Sequence, residues 1–226
     1  MNYEEGKKYF TQKSNCVPIT ISVILIIVGF LIFLFLPLLY VTIPLEIVAL
    51  IIIAIEDSRY VRDGDIDQIM NEEFEKFKRS FREKYILSAY LHNQLLDKSI
   101  CDENVVYNFT YDFECNGILI NKGIDGKYRS SRCHYNAVLF TEKYLIIQIV
   151  TYSFIEKDIK INDYKYGYHN LYPVELIEFE EGTISANKYK ILNIRPLDNS
   201  VDIRLIIPNN PNNQSYIDRI NRKINK

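Results

Sequence analysis

From Val17 to Ile55 the chain is almost unbroken Ile, Leu, Val and Phe, and Glu46 is the one charged residue in it. From Glu56 onward apolar and charged residues mix as they do in a chain that folds in water. A bilayer crossing takes about 20 apolar residues at 1.5 Å rise each, and this run is about twice that. The pattern predicts a transmembrane α-hairpin, with helices at Val17 to Leu36 and about Leu38 to Ile55. The turn is expected between Leu36 and Pro44, where Pro37, Tyr40, Thr42 and Pro44 interrupt the aliphatic residues. A signal peptide has an apolar core of about 7–15 residues before a small-residue exit, which this run lacks. Lys7, Lys8 and Lys13 precede the run, Arg59 and Arg62 follow it, and the turn has no cation. The positive-inside rule then expects a two-pass cell-membrane protein with both termini cytoplasmic. Tyr9 and Tyr60 would sit at the inner interface and Tyr40 at the outer.

Past Asp63-Gly64-Asp65, apolar residues recur at helical spacings: Ile66, Met70, Phe74, Phe77, Phe81, Tyr85, Leu91 and Leu95. This predicts an amphipathic helix over Ile66 to Leu96, with Glu72/Lys76 and Glu75/Arg79 pairs on its polar face. A phenylalanine-rich stripe of that size should not face water, so it is expected to fold back or to pair with a partner helix. Asp63-x-Asp65-x-Asp67 begins like a calcium loop, but Gln68 and Phe74 stand where that loop needs Gly and Glu.

From Val105 the texture changes to short β-type runs: VVYNFTYDF, GILI, AVLFT, YLIIQIVTYSFI, VELIEF, YKILNI and VDIRLII. Turn signals separate them at Asn116-Gly117, Gly123, Gly126, Asn162-Asp163, Glu181-Gly182 and Asp198-Asn199. Asn210-Pro211 then opens a short helix with Tyr216, Ile217, Ile220 and Ile224 on one side. The expected division is a tail (1–16), the hairpin (17–55), a juxtamembrane helical region (56–103) and a β domain with a C-terminal helix (104–226). The fold class is α+β: a strongly bent antiparallel sheet or small barrel of about seven strands, capped by that helix.

Val138-Leu-Phe-Thr141-Glu142-Lys143-Tyr-Leu-Ile-Ile and Pro173-Val-Glu-Leu-Ile-Glu-Phe-Glu180 resemble strands of bacterial pleckstrin-homology-like, GRAM-related domains. The resemblance covers about Asn104 to Lys226 and implies a binding module. It departs from their pattern in Lys157 to Leu171, a longer and more polar stretch. Phosphoinositide-binding members carry basic residues in and after the first hairpin. Lys122, Lys127 and Arg129 match that spacing, with Arg132 and His134 beyond, and converging cations of this kind hold phosphate.

A net charge of −2 argues against a nucleic-acid partner. Cys16, Cys101, Cys115 and Cys133 form no CxxC pair, and Cys115, Cys133 and His134 lack the close spacing of zinc ligands, so no metal is expected. No other cofactor is expected either. His92, His134 and His169 are scattered, and no phosphate loop, GxSxG or HExxH occurs. The reading is therefore non-enzymatic: a membrane-anchored module that recruits a protein partner or an anionic lipid headgroup. A small accessory subunit of a multi-protein membrane complex is the alternative, and an unrecognised enzyme a third. Glu46 is the intramembrane contact candidate. Tyr164, Tyr166 and Tyr168 share one face if their segment is extended, and are the partner-surface candidates.

Overall fold

In the computed structural model the described residues are 3–12, 16–35, 39–59, 61–87, 105–141, 143–181, 183–185, 188–198, 201–210 and 213–225. Four helices come first: α1 (Tyr3–Thr11), α2 (Cys16–Phe35), α3 (Leu39–Arg59) and α4 (Asp63–Phe81), the last continued by a π-helical turn at Arg82–Leu87. Nine strands follow: β1 (Val105–Tyr111), β2 (Ile120–Lys122), β3 (Tyr128–Ser130), β4 (Arg132–Phe140), β5 (Tyr144–Ser153), β6 (Asp158–Gly167), β7 (Glu175–Glu178), β8 (Tyr189–Ile194) and β9 (Ile203–Pro208). A 3-10 turn, Tyr168–Asn170, follows β6, and α5 (Asn213–Ile224) comes last.

The strands form three antiparallel sheets, ordered β1-β4-β5-β6, β2-β3 and β7-β8-β9. The expected single bent sheet or barrel of about seven strands is thus corrected to nine strands in three sheets among the described residues. The break after β6 falls at the 3-10 turn and Pro173, whose nitrogen has no proton to give a ladder. Another departure is the β2-β3 hairpin, inserted between two strands that pair with each other, β1 and β4.

Along β4 and β5 both faces of the four-stranded sheet are largely buried. Along β4, Cys133, Tyr135, Ala137 and Leu139 point to one face, and Val138 and Phe140 to the other, as the two-residue period of a strand requires. On the first face lies α4. Its Ile66, Met70, Phe77 and Phe81 recur on one side of the helix and are all buried. Tyr135 Oη donates to the Met70 carbonyl at 3.1 Å, and its ring lies 5.4 Å from Phe74 and 5.8 Å from Phe77. The phenylalanine stripe therefore folds back on the sheet. Beside it α1 buries Gly6, Tyr9 and Phe10. Gly6 is required there, because a Cβ would lie 2.0 Å from the Phe154 ring. The second face is mostly aliphatic: Val138, Phe140, Leu145 and Ile147 meet Leu192, Ile203, Leu205 and Ile207 of the three-stranded sheet and Ile217 and Ile220 of α5.

Among the described residues no helix is long and apolar enough to cross a membrane. The expectations of a transmembrane hairpin, of an integral-membrane partner and of a two-pass membrane location are corrected on this finding. α2 and α3 leave many apolar residues exposed, among them Ile24, Ile27, Phe30, Leu50 and Ile51. The amphipathic helix also differs from expectation: it starts at Asp63 and is α-helical only to Phe81. Its expected end with Leu91, His92 and Leu95, together with Pro37, Tyr60, Cys101, Asn104 and Pro211, lies outside the described residues, as does the side chain of Tyr40.

The two ends of the α2–α3 pair are fastened together at its base. Gln12 Nε2 donates to the Val61 carbonyl at 2.8 Å, and the Val61 N–H donates back to Gln12 Oε1 at 3.1 Å. Tyr9 Oη donates to Asp63 Oδ1 at 2.7 Å, so the end of α1 meets the first turn of α4.

Candidate functional site

The basic residues of the inserted hairpin do not converge on open space. Arg129 is 1% exposed. Its Nε and Nη2 donate to the two oxygens of Asp67 at 2.7 and 2.6 Å, and its Nη1 and Nη2 donate to Asp125 at 3.0 and 2.8 Å. Asp63 stands 3.8 Å from Nη1 and also accepts the Ile124 N–H at 2.8 Å. Hydrogen bonds to Asp67 and Asp125 push the Arg129 pKa further up, and the same pairing holds the Asp125 carboxyl well below its ordinary range. Arg129 is therefore a clasp joining the β2-β3 hairpin to the start of α4, and its donors face protein carboxylates.

Arg132 lies beyond the hairpin and is also engaged. Its Nη1 sits 2.8 Å from Cys115 Sγ, and its Nε is 3.5 Å from Asp112 Oδ2. His134 bridges Asp112 Oδ2 (3.2 Å) and Thr151 Oγ1 (2.9 Å). Asp112 is buried, which pushes its pKa up, but the His134 bond, the Glu114 N–H and the Arg132 charge outweigh burial and hold it low. Cys133 points to the opposite face, 3.7 Å from Met70 Sδ, and burial pushes its thiol up. Among the described residues no group of three or more His, Cys, Asp or Glu could hold a metal ion. Lys122 and Lys127 are exposed; Lys122 lies over the Tyr128 ring, and Lys127 is 3.8 Å from Asp125. Glu46 lies in α3 two residues past Pro44, with its side chain exposed.

The partner-surface tyrosines divide. Tyr168 is buried on the aliphatic face and donates to the Thr141 carbonyl at 3.2 Å, and burial pushes its pKa up to about 12. Tyr164 and Tyr166 are half-buried on β6, their rings near parallel with centroids 6.4 Å apart.

β6 is an edge strand ten residues long, paired on one side with β5 in an unbroken register from Ser153↔Asp158 to Tyr144↔Gly167. The Tyr168 N–H donates to the Lys143 carbonyl, one step beyond that register. Bonded and non-bonded pairs alternate in an antiparallel ladder. The even-numbered residues of β6 therefore bond inward, and Ile159, Ile161, Asp163 and Lys165 turn their N–H and C=O groups outward. The far side of β5 fixes the same phase, because the Thr141 N–H donates to Tyr144 and the Phe154 N–H to Ser131 across the β4–β5 ladder. Among the described residues no backbone group bonds to this outer edge. Ile159 is 45% and Ile161 59% exposed beside it. Sequence reasoning missed these two residues, and the signal that could have found them is the period-two pattern of Ile159, Ile161 against Tyr164, Tyr166.

One surface cleft of 440 Å³ lies between the start of β7 and the β8–β9 connection, lined by Tyr172, Pro173, Glu175, Arg195, Pro196 and Asp202. Its Glu175 and Arg195 are paired at 2.9 Å. In comparisons with known proteins, no family model, no curated protein and no solved structure matches the chain.

Proposed function

We propose that the chain is a non-enzymatic binding module that recruits a protein partner. The observation that carries this reading is the open edge of β6, flanked by exposed Ile159 and Ile161 on one face and by Tyr164 and Tyr166 on the other. An anionic headgroup fits less well, because Arg129 and Arg132, two of its four candidate ligands, already face Asp67, Asp125 and Asp112. A second reading, an accessory subunit of a larger assembly, is favoured by the exposed apolar side chains of α2 and α3, a surface of the kind that marks interaction sites.

The test is to pan displayed libraries of short peptides on the full chain. Binders should be enriched whose affinity drops about tenfold or more, equivalent to about 1.4 kcal/mol, in an Ile159→Asp/Ile161→Asp variant. No enrichment, or affinity untouched by that variant, overturns the reading. Binding lost instead in Ile27→Asp/Ile51→Asp supports the subunit reading.

A further inference from the structure

β6 has few of the features that keep natural sheet edges from pairing. Edges are usually short, kinked by a bulge, broken by proline, or covered. β6 runs ten residues in continuous register without a proline, and the one non-glycine residue with positive φ nearby, Lys157, stands just before it. On the sister edge, β1, the Val106 side chain packs into the core of the second face beside the three-stranded sheet and α5, whereas Ile159 and Ile161 of β6 stay exposed. Lys160 and Lys165 are the only cations within β6.

We infer that β6 is a docking strand that takes an extended segment of another protein as a fifth, antiparallel strand, with the pattern acidic–x–polar–x–apolar–x–apolar from N to C. This rests on the protein-recruiting reading and adds the mode and the chemistry of the partner. Its backbone would bond to the outward groups of Lys165, Asp163, Ile161 and Ile159, in that order, so the pattern follows from what each side chain lacks. Lys165 lies over the Tyr144 ring at 4.4 Å and has no carboxylate within salt-bridge distance among the described residues, which calls for an acidic residue opposite. Asp163 already holds Lys84 at 2.5 Å and Gln148 Nε2 at 2.7 Å, which calls for a neutral polar residue. Ile161 and Ile159 call for apolar ones. The intervening residues would face Tyr164, Asn162 and Lys160, whose nearest carboxylate, Asp158, is 3.6 Å away. Seven residues cover this stretch, about 24 Å of strand.

A second copy of the chain fits this edge poorly. Two-fold antiparallel pairing of β6 with itself sets residues of like parity opposite each other on the same face. Only one register then places both isoleucines against isoleucines, Ile159 opposite Ile161, and it sets Lys160 directly against Lys160. Like charges directly opposite destabilise a strand pair. The next register spares the lysines but sets Ile159 against Asp163.

The test uses the full chain with the peptide Glu-Thr-Thr-Thr-Val-Glu-Val, flanked by glycines, and with the library-selected binders. Amide exchange by NMR should slow at least tenfold at Ile159, Ile161, Asp163 and Lys165 on binding and change little at Lys160, Asn162 and Tyr164. Methylating the peptide amides that face β6 should abolish binding, and methylating the alternate ones should leave it within a few-fold. Binding without this alternation, or selected peptides without the pattern, overturns strand addition and leaves protein recruitment standing. No binding by any peptide overturns both.

Discussion

On one face of the four-stranded sheet the rings of Phe74, Phe77, Phe81, Phe109 and Tyr135 lie tilted against one another between α4 and the strands, with Phe74 and Phe77 stacked. On the other, Val138, Ile147, Leu192, Leu205 and Ile220 pack as plain aliphatic chains between two sheets and a short helix. The fastening differs as much as the packing. Among the described residues no backbone ladder joins the sheet on the second face to the four-stranded sheet; it is packed there by aliphatic contacts and by a few side-chain bonds to backbone, such as Asn136 Nδ2 to the Ile206 carbonyl at 3.0 Å. The helix on the first face has no ladder to set where it starts, so directional side-chain groups do it: Arg129, Asp63, Asp67 and Tyr9. The second face is thus held mainly by packed aliphatic side chains, and the first adds directional polar bonds that fix where α4 starts along the strands.

The largest expected effects come from emptying the two cores separately. Phe81→Ala should destabilise the chain by about 3–5 kcal/mol, and Leu205→Ala by about 2–5 kcal/mol, since both residues are fully buried. Urea unfolding gives the magnitudes, and hydrogen exchange shows where they act. The Phe81 variant should lose protection first in α4 and α1, and the Leu205 variant first in β7–β9 and α5. Identical exchange maps would show that the two faces unfold as one unit and break the comparison.

Removing the clasp is the next largest. Arg129→Ala leaves three carboxylates gathered around an empty site, and losing one partner of a buried ion pair costs about 3–5 kcal/mol. The lower end is expected, because the side chains of Asp63, Asp67 and Asp125 keep 20%, 40% and 34% exposure, and water can take over part of the guanidinium's role. Arg129→Lys keeps the charge without the fork that bonds Asp67 and Asp125 together, so it should recover only part of the loss. Urea midpoints of the three proteins check the order. Equal stability of the alanine and parent chains would show that the clasp fixes nothing.

What could be read in the sequence divides along the same line. The aliphatic runs at 144–155, 189–194 and 201–207 predict strands that the structure has, because a strand buried by apolar neighbours shows itself as apolar text. β6 was not legible that way: Asp-Ile-Lys-Ile-Asn-Asp-Tyr-Lys-Tyr-Gly is a strand with one open edge, and it reads as a polar insertion. The start of β4, Arg132-Cys-His-Tyr-Asn, also reads as polar, although β1 and β5 pair with it on both sides. At the candidate site the spacing of Lys122, Lys127 and Arg129 suggests an anion site, yet local spacing says nothing of Asp63 and Asp67, which approach from 62 or more residues away. The calcium-like Asp63-x-Asp65-x-Asp67 run had its partner further down the chain. The membrane expectation came from the length of the apolar run and its flanking cations, and among the described residues no helix is long and apolar enough to cross a membrane.

Acid gives the smallest and most selective separation of the two faces. Five carboxylates among the described residues are held below their ordinary range, and four of them fasten helical segments to the sheet or lie on α4. Glu4 of α1 bonds Lys157, Glu73 of α4 bonds Lys76, Asp125 bonds Arg129, and Asp163 bonds Lys84 just beyond α4. The fifth, Asp112, belongs to the His134 cluster. A carboxyl whose folded-state pKa is depressed contributes stability that is present above its unfolded value, about 4, and is lost as pH falls through the folded value. Below about pH 4 the helical side should therefore loosen before the aliphatic side. Exchange measured stepwise from pH 5 to pH 2 should show α1 and α4 losing protection ahead of β7–β9, after correction for the intrinsic rate. In Arg129→Ala the acid dependence should be shallower, because Asp125 loses the bond that depresses it. A slope unchanged by that substitution would mean that acid acts elsewhere, and that the clasp positions α4 through geometry more than through charge.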